Sequence, residues 1–149
     1  MLFQLPAIYL GKEYNLLTIV VSPLKALIVD QVESLQELGI CVWHMPRPIY
    51  RRNRRWRFIG RCVRGRLICS ISSPELFLSY DIKHFVGERR IGLVVVDEAH
   101  TVTTWGKEFR VDYWFLGRYL NTLKQTLGYS FPLFALTATA VWNPKGVMT

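Results

Sequence analysis

Short runs of aliphatic residues alternate along this chain with longer segments in which apolar residues recur at helical spacing. The aliphatic runs predict buried strands at 16–21, 40–42, 66–71, 91–96 and 131–136. Helices are predicted at 1–9, 22–38, 73–78 and 116–127, and Gly39 and Gly128 end two of them. The βαβα alternation predicts an α/β fold, a three-layer parallel sheet with right-handed crossovers and helices on both faces.

Two of the predicted helices begin with the same signal, a serine followed by a proline. Ser22-Pro23 and Ser73-Pro74 each predict a serine N-cap with proline at the first helical position. Lys25 lies in the first turn of the earlier helix, where a cation opposes the helix dipole. A phosphate bound at that helix N-terminus would explain the lysine. A solvated surface lysine is the alternative.

The strand predicted at 91–96 stops at two adjacent carboxylates, Asp97 and Glu98. Ligands of parallel sheets bind at the carboxyl ends of the strands, so this pair is well placed to act on a phosphate through a metal ion. Asp97 is predicted to hold Mg²⁺, directly or through water, and Glu98 to orient and deprotonate the attacking water. Alternatively, both acids simply open the next helix as cap and first-turn residues.

Aromatic and cationic residues follow in a segment, 101–113, that is predicted to be a polar loop. Trp105 and Phe109 beside Arg110 suit stacking on single-stranded bases, although the aromatic rings could instead pack the loop against the domain. Beyond the last predicted strand stand Thr137 and Thr139. Their hydroxyls could relay a change in nucleotide state through hydrogen bonds, or cap a following helix.

The formal net charge of +8 is concentrated in one insert-like segment, 47–66, which holds nine arginines and no acid. Removing these nine from the 19 basic residues leaves 10, against 11 acidic ones. Arginines interleaved with Trp56 and Phe58 could follow a phosphate backbone and stack on bases. A solvated charge run and a nuclear-targeting patch are the alternatives for this segment.

Composition narrows the class of protein. The 149 residues, half of them hydrophobic, predict one globular domain over 1–149. No apolar run approaches the roughly 20 residues that cross a bilayer, so no membrane partner is expected. The three cysteines lack paired spacing, which predicts no zinc site and favours an intracellular setting, nuclear in a eukaryote and cytoplasmic in a bacterium.

Taken together, these motifs resemble the first RecA-like domain of RecQ-type DNA helicases, in the DEAH-box branch of superfamily 2. The similar segments, in chain order, are Phe3-Gln4-Leu5-Pro6-Ala7, Ser22-Pro23-Leu24 with Asp30-Gln31, Ser73-Pro74-Glu75, Asp97-Glu98-Ala99-His100, Trp105-Gly106 with Phe109-Arg110 and Asp112-Tyr113, and Ala135-Leu136-Thr137-Ala138-Thr139-Ala140. Each motif is weak by itself, and their common order makes the resemblance specific.

The resemblance implies ATP-driven 3′-to-5′ unwinding of duplex DNA, with ATP and Mg²⁺ as cofactors. Asp97 would act on Mg²⁺ and Glu98 on the hydrolytic water. His100, Thr137 and Thr139 would couple the nucleotide site to DNA.

The resemblance also implies a set of DNA contacts, to the single strand and at the duplex junction. Trp105, Phe109 and Arg110 would sense single-stranded DNA. Ser22 and Lys25 would touch its backbone.

The motif Gly-x-x-x-x-Gly-Lys-Ser/Thr (Walker A) does not occur in the sequence, so no complete cofactor-binding loop is predicted. The resemblance therefore implies a partial domain, truncated at its N-terminus, with the second RecA-like domain as a missing partner. Its sheet is expected to expose an apolar edge, and the chain alone to depend on a partner and lack ATPase activity. The alternatives are a non-enzymatic basic nucleic-acid-binding module and a degenerate helicase fragment.

Overall fold

The computed structural model describes residues 2–44, 67–79, 81–82, 86, 89–101 and 111–138. The helices are α1 (Gln4–Tyr14), α2 (Lys25–Glu37), α3 (Pro74–Ser79) and α4 (Val111–Leu127). The strands are β1 (Leu17–Val21), β2 (Val42–His44), β3 (Cys69–Ser72), β4 (Ile91–Val96) and β5 (Leu133–Ala135). They form one sheet in the order β2-β3-β1-β4-β5, and every pairing in it is parallel. The predicted α/β fold is confirmed.

Alternate residues of the central strands enter two apolar cores, one on each face of the sheet. On one face, α1 and α2 pack over a cluster that includes Val20 and Val95. On the other, α3 and α4 pack over a cluster that includes Ile19 and Val94. Because both faces of the strand are buried, its sequence is continuously hydrophobic. The observed range of β4 therefore coincides with the predicted one.

The boundary between α2 and β2 is set by backbone bonds at the end of the helix. Gly39 adopts a φ of +70°. Its N–H donates to Gln36 O at 2.9 Å, and the N–H of Ile40 donates to Leu35 O at 3.0 Å. This is the Schellman arrangement, which uses the Ile40 amide to close the helix. Ile40 therefore belongs to the helix end, and β2 begins later than the predicted 40–42.

Helix α2 also begins later than its serine-proline signal predicts. Leu24 occupies the N-cap position with an extended backbone and no side-chain cap bond, and Lys25 is the first helical residue. The Ser22 N–H instead donates to Ser72 O at 2.9 Å, which keeps Ser22 in line with the sheet. The prediction of Ser22 as N-cap is wrong for this reason. In α3, by contrast, Pro74 is the first residue, as predicted.

Strand β5 lies at one edge of the described sheet, and its apolar side chains are incompletely covered. Leu133 is 53% and Phe134 37% exposed. Val94 N–H donates to Pro132 O, and Leu136 N–H donates to Val96 O. Since alternate peptide groups of a parallel strand face one neighbour, those of Leu133 and Ala135 point away from β4. The exposed apolar edge expected from the sequence is present in this part of the chain.

None of the described helices combines the length and hydropathy that crossing a bilayer requires.

Arg89 holds neighbouring strands together at the opposite rim of the sheet. Its guanidinium donates to the carbonyl oxygens of Asn15 and Leu16, both at 3.1 Å, and to that of Leu67. These carbonyls precede β1 and β3, so one side chain satisfies backbone acceptors of two adjacent strands. Partial burial lowers the pKa of Arg89, but a guanidinium remains charged at any ordinary pH.

We expect Arg89→Met to lower the free energy of unfolding by about 2–4 kcal/mol, because it removes charge-assisted bonds to several partly buried carbonyls. Urea denaturation measures the change. Arg118→Met, on the exposed side of α4, is the matched control and should stay within about 0.5 kcal/mol of the unsubstituted chain. Equal effects of the two substitutions would contradict the anchoring role of Arg89.

Candidate active site

The residues that directly follow β4, Asp97–His100, form a turn at the carboxyl edge of the sheet. Backbone bonds hold the turn from both sides. Asp97 N–H donates to Val21 O at 2.9 Å, and Ala99 N–H donates to Leu136 O at 2.8 Å. The predicted acids therefore lie where the ends of β1, β4 and β5 meet.

Glu98 has an unusual backbone within this turn. Its φ is +51°, in the left-handed region that residues with a side chain seldom adopt. The N–H and the hydroxyl of Thr101 both donate to Glu98 O, at 2.9 and 2.8 Å, which holds the peptide in place. Strain of this kind persists only where surrounding contacts enforce it, and it is common at active sites.

The carboxylate of Asp97 accepts hydrogen bonds from side chains and backbone. Ser22 Oγ lies 3.3 Å and Gln31 Nε2 3.5 Å from Oδ2. The Glu98 N–H donates to Oδ1 at 3.0 Å. An ionised carboxylate can only accept, so these donors match its charged form and restrict its rotation.

The main chain of Asp97 is held as well. The Tyr113 hydroxyl donates to Asp97 O at 3.1 Å, and Tyr113 is buried in the core beneath α4. This bond ties the first turn of α4 to the acidic turn. The sequence does not indicate the contacts of Tyr113 and Gln31 with Asp97, although both residues stand in the motifs quoted above, because only the fold brings them to this acid.

His100 connects the acidic turn with the segment after β5. Its Nδ1 lies 3.1 Å from Glu98 Oε2 and 2.8 Å from Thr137 Oγ1. Because the carboxylate can only accept, the Glu98 contact requires a proton on Nδ1, whereas the direction of the Thr137 contact depends on the histidine tautomer. The structure thus brings together His100 and Thr137, which were both predicted as coupling residues.

The two predicted DNA-backbone residues have different surroundings. Lys25 is exposed at the start of α2. Ser22 has no exposed surface, and its hydroxyl faces Asp97. The DNA contact of Ser22 stays a prediction, and the structure places its hydroxyl 3.3 Å from Asp97 Oδ2.

Several other predictions fall outside the described residues. These are Trp105, Phe109, Arg110, Thr139 and the arginine-rich segment 47–66.

The donor chemistry of the turn fits a hard cation. Mg²⁺ is commonly bound through one or two carboxylates, with water and phosphate oxygens completing its shell, and Asp97 offers such a carboxylate. Within the described ranges, no group of three or more His, Cys, Asp or Glu side chains is arranged to hold a metal ion by itself. Asp97 is therefore suited to a metal that is shared with a phosphate ligand.

Solved structures identify the class of fold. The sheet and helices match the Pyrococcus furiosus Hef helicase domain with a TM-score of 0.62, at 19% identity over 96% of this chain and 28% of that one. The DUF1998 helicase MrfA, solved bound to DNA and AMPPNP, matches with a TM-score of 0.63, at 20% identity over 97% of this chain and 20% of that one. The domain therefore has the RecA-like α/β fold of these two proteins.

The sequence comparison identifies the family. The DEAD/DEAH box helicase model matches residues 1–146, and the chain belongs to this family. It is 36% identical over 143 residues to the ATP-dependent DNA helicase RecQ of Synechocystis sp. and 34% identical over 143 residues to the ATP-dependent helicase SGS1 of Saccharomyces cerevisiae. Both matches include 93% of this chain but only 28% and 10% of those relatives. The resemblance to RecQ-type helicases is confirmed, for a chain that spans a minor part of the relatives' length.

The left-handed backbone of Glu98 predicts that glycine at this position is more stable than alanine, the reverse of their order in a helix. We expect Glu98→Gly to be more stable than Glu98→Ala by about 1 kcal/mol, because both remove the carboxylate but only glycine relieves the positive φ. Chemical denaturation measures the difference. At Glu33, exposed on helix α2, the same pair should show the opposite order by about 1 kcal/mol. Alanine being the more stable residue at both positions would contradict a strained turn.

Proposed function

We propose that this chain supplies the hydrolytic acids and part of the DNA path of an ATP-dependent DNA helicase that unwinds duplex DNA in the 3′-to-5′ direction. The observation that carries the proposal is the acidic turn, fixed between the ends of β1 and β5, with His100 between Glu98 and Thr137. Relatives that are named ATP-dependent DNA helicases, and a structural match solved with DNA and AMPPNP, support the substrate classes.

In this proposal, Asp97 holds Mg²⁺ beside the phosphates of ATP. The bound metal would supply charge neutralisation during phosphoryl transfer. Glu98 orients a water molecule for in-line attack and accepts its proton at the carboxylate. His100 Nδ1, 3.1 Å from Glu98 Oε2, holds this carboxylate against free rotation.

The same contacts provide a route from the nucleotide to DNA. A change at Glu98 alters its contact with His100, and His100 is bonded to Thr137 beyond β5. Trp105, Phe109 and Arg110 are proposed to sense single-stranded DNA. Helix α4 follows their segment in the chain, and Tyr113 links it to Asp97. Lys25, exposed at a helix start without a side-chain cap, is proposed to contact a DNA phosphate.

The polypeptide of 149 residues is proposed to be inactive as an ATPase without a phosphate-binding loop and a second RecA-like domain. The motif that cradles the nucleotide phosphates does not occur in its sequence. Phosphate release by the purified chain, with single-stranded DNA present, should stay at background. Robust turnover that Glu98→Gln abolishes would contradict this part of the proposal.

The hydrolytic role is tested by placing the chain in the Synechocystis RecQ in exchange for the matched segment. We expect the chimera to hydrolyse ATP when DNA is added, and Glu98→Gln to reduce the rate at least about 100-fold, because proton transfer and water orientation are lost. Glu33→Gln, on the exposed side of α2, is the matched control and should leave the rate unchanged. A folded, active chimera that tolerates Glu98→Gln would overturn the proposed role.

The arginine-rich segment favours one alternative, a non-enzymatic nucleic-acid-binding module. Titration of single-stranded DNA against the chain at increasing salt distinguishes the helicase proposal from this alternative. We expect Trp105→Ala to weaken binding about 5- to 150-fold, the range of one lost base stack. Binding that survives Trp105→Ala and Asp97→Asn but vanishes when the arginines of 47–66 become serine would favour the alternative.

A further inference from the structure

We infer that Gln31 is a positioning residue for the Asp97 carboxylate and its metal. The inference rests on the proposed function, in which Asp97 holds Mg²⁺. Gln31 lies on α2, the helix that follows β1 in the chain, and its Nε2 is 3.5 Å from Asp97 Oδ2. That separation is longer than an ordinary N–H···O bond, and such active-site contacts tighten when ligands bind.

Charge fixes the orientation of the Gln31 amide. The carboxylate accepts only, so Nε2 must face Asp97 and Oε1 must face away from it. Within the described part of the chain, Oε1 is buried and has no hydrogen-bond partner. A buried acceptor without a donor is destabilising, and an apolar side chain would suit the fold better at this position. A glutamine here therefore serves something other than stability.

Gln31 would hold the Asp97 carboxylate through Nε2, and the carboxylate would in turn hold the metal. Amide and hydroxyl groups that orient ligating carboxylates in this way are common in metal sites.

Three hydrogen-bond donors surround the Asp97 carboxylate. Ser22 Oγ and Gln31 Nε2 both reach Oδ2, and the Glu98 N–H reaches Oδ1. Oδ2 thus faces two side-chain donors, whereas Oδ1 has one backbone donor and more remaining capacity to bind a metal. Gln31 and Ser22 thus decide which oxygen of Asp97 is presented to the metal.

Two substitutions separate positioning from folding. Gln31→Met keeps the length of the side chain and its helix propensity, and it removes the unsatisfied oxygen. It should leave the urea midpoint at or above that of the unsubstituted chain while weakening metal binding about tenfold or more. Gln31→Glu places a second carboxylate against Asp97 and should lower the urea midpoint of the metal-free chain, because the two negative charges repel each other. Gln36→Met, exposed on the same helix, is the matched control.

The experiment measures Mn²⁺ binding to the Synechocystis RecQ chimera, with AMPPNP present to supply the phosphate oxygens, through the relaxation of water protons. Weaker binding by Gln31→Met, with Gln36→Met unchanged, supports the inference. Binding that Asp97→Asn abolishes but Gln31→Met leaves intact overturns the positioning role. Binding that Asp97→Asn also leaves intact, or no binding by the unsubstituted chimera, overturns the proposed metal role of Asp97.

A second measurement tests the contact without any metal. Combining Gln31→Glu with Asp97→Asn reverses donor and acceptor, so the urea midpoint should rise above that of Gln31→Glu alone. A double variant that is no more stable than Gln31→Glu overturns the inference, whatever the Mn²⁺ titration shows. If the double variant recovers its urea midpoint while the unsubstituted protein binds no Mn²⁺, the contact between Gln31 and Asp97 stands and the proposed metal role of Asp97 is overturned.

Discussion

The structure depends on backbone hydrogen bonds that continue past the end of β4. Asp97 N–H donates to β1 through Val21 O, and Ala99 N–H donates to the end of β5 through Leu136 O. A turn bonded to both neighbouring strands cannot shift without breaking these hydrogen bonds. This constraint holds the two acids at a fixed place on the carboxyl edge and enforces the positive φ of Glu98.

Two features in and beside the acidic turn lower the stability of the fold. Glu98 keeps a strained backbone, and Gln31 keeps a buried oxygen without a partner among the described residues. Each of these costs free energy that the two apolar cores must offset. Arg89 contributes at the opposite rim, where it satisfies carbonyls that β1 and β3 would otherwise leave without donors. The fold is thus anchored at one end and strained at the other.

Features that arise from near neighbours in the chain were predictable from the sequence. The aliphatic run of β4 and the acids that stop it fixed the strand and the position of the site, because burial on both faces leaves a continuous hydrophobic signal. Gly39 was predictable for a similar reason, since only the local helix end determines its left-handed backbone.

Contacts between distant segments were not predictable in the same way. Ser22 carries the local chemistry of an N-cap, yet its partner is Asp97, 75 residues away. Gln31 resembles an ordinary polar residue of a helix until the sheet brings it to the same carboxylate, 66 residues on. Tyr113 stands in a motif associated with DNA, and its bond to Asp97 O follows only from the packing of α4. Local sequence indicates what a side chain can do, and the fold selects its partner.

The strand with the most exposed side chains, β5, leads directly to the contact between His100 and Thr137. Leu136 accepts from Ala99 and donates to Val96, and the next residue, Thr137, bonds His100. The preceding strand, β5, has its apolar side chains exposed and half of its peptide groups turned away from the sheet. Whatever covers that edge stabilises the strand that positions Thr137. Order at the His100 contact is therefore linked to a surface that the described residues leave open.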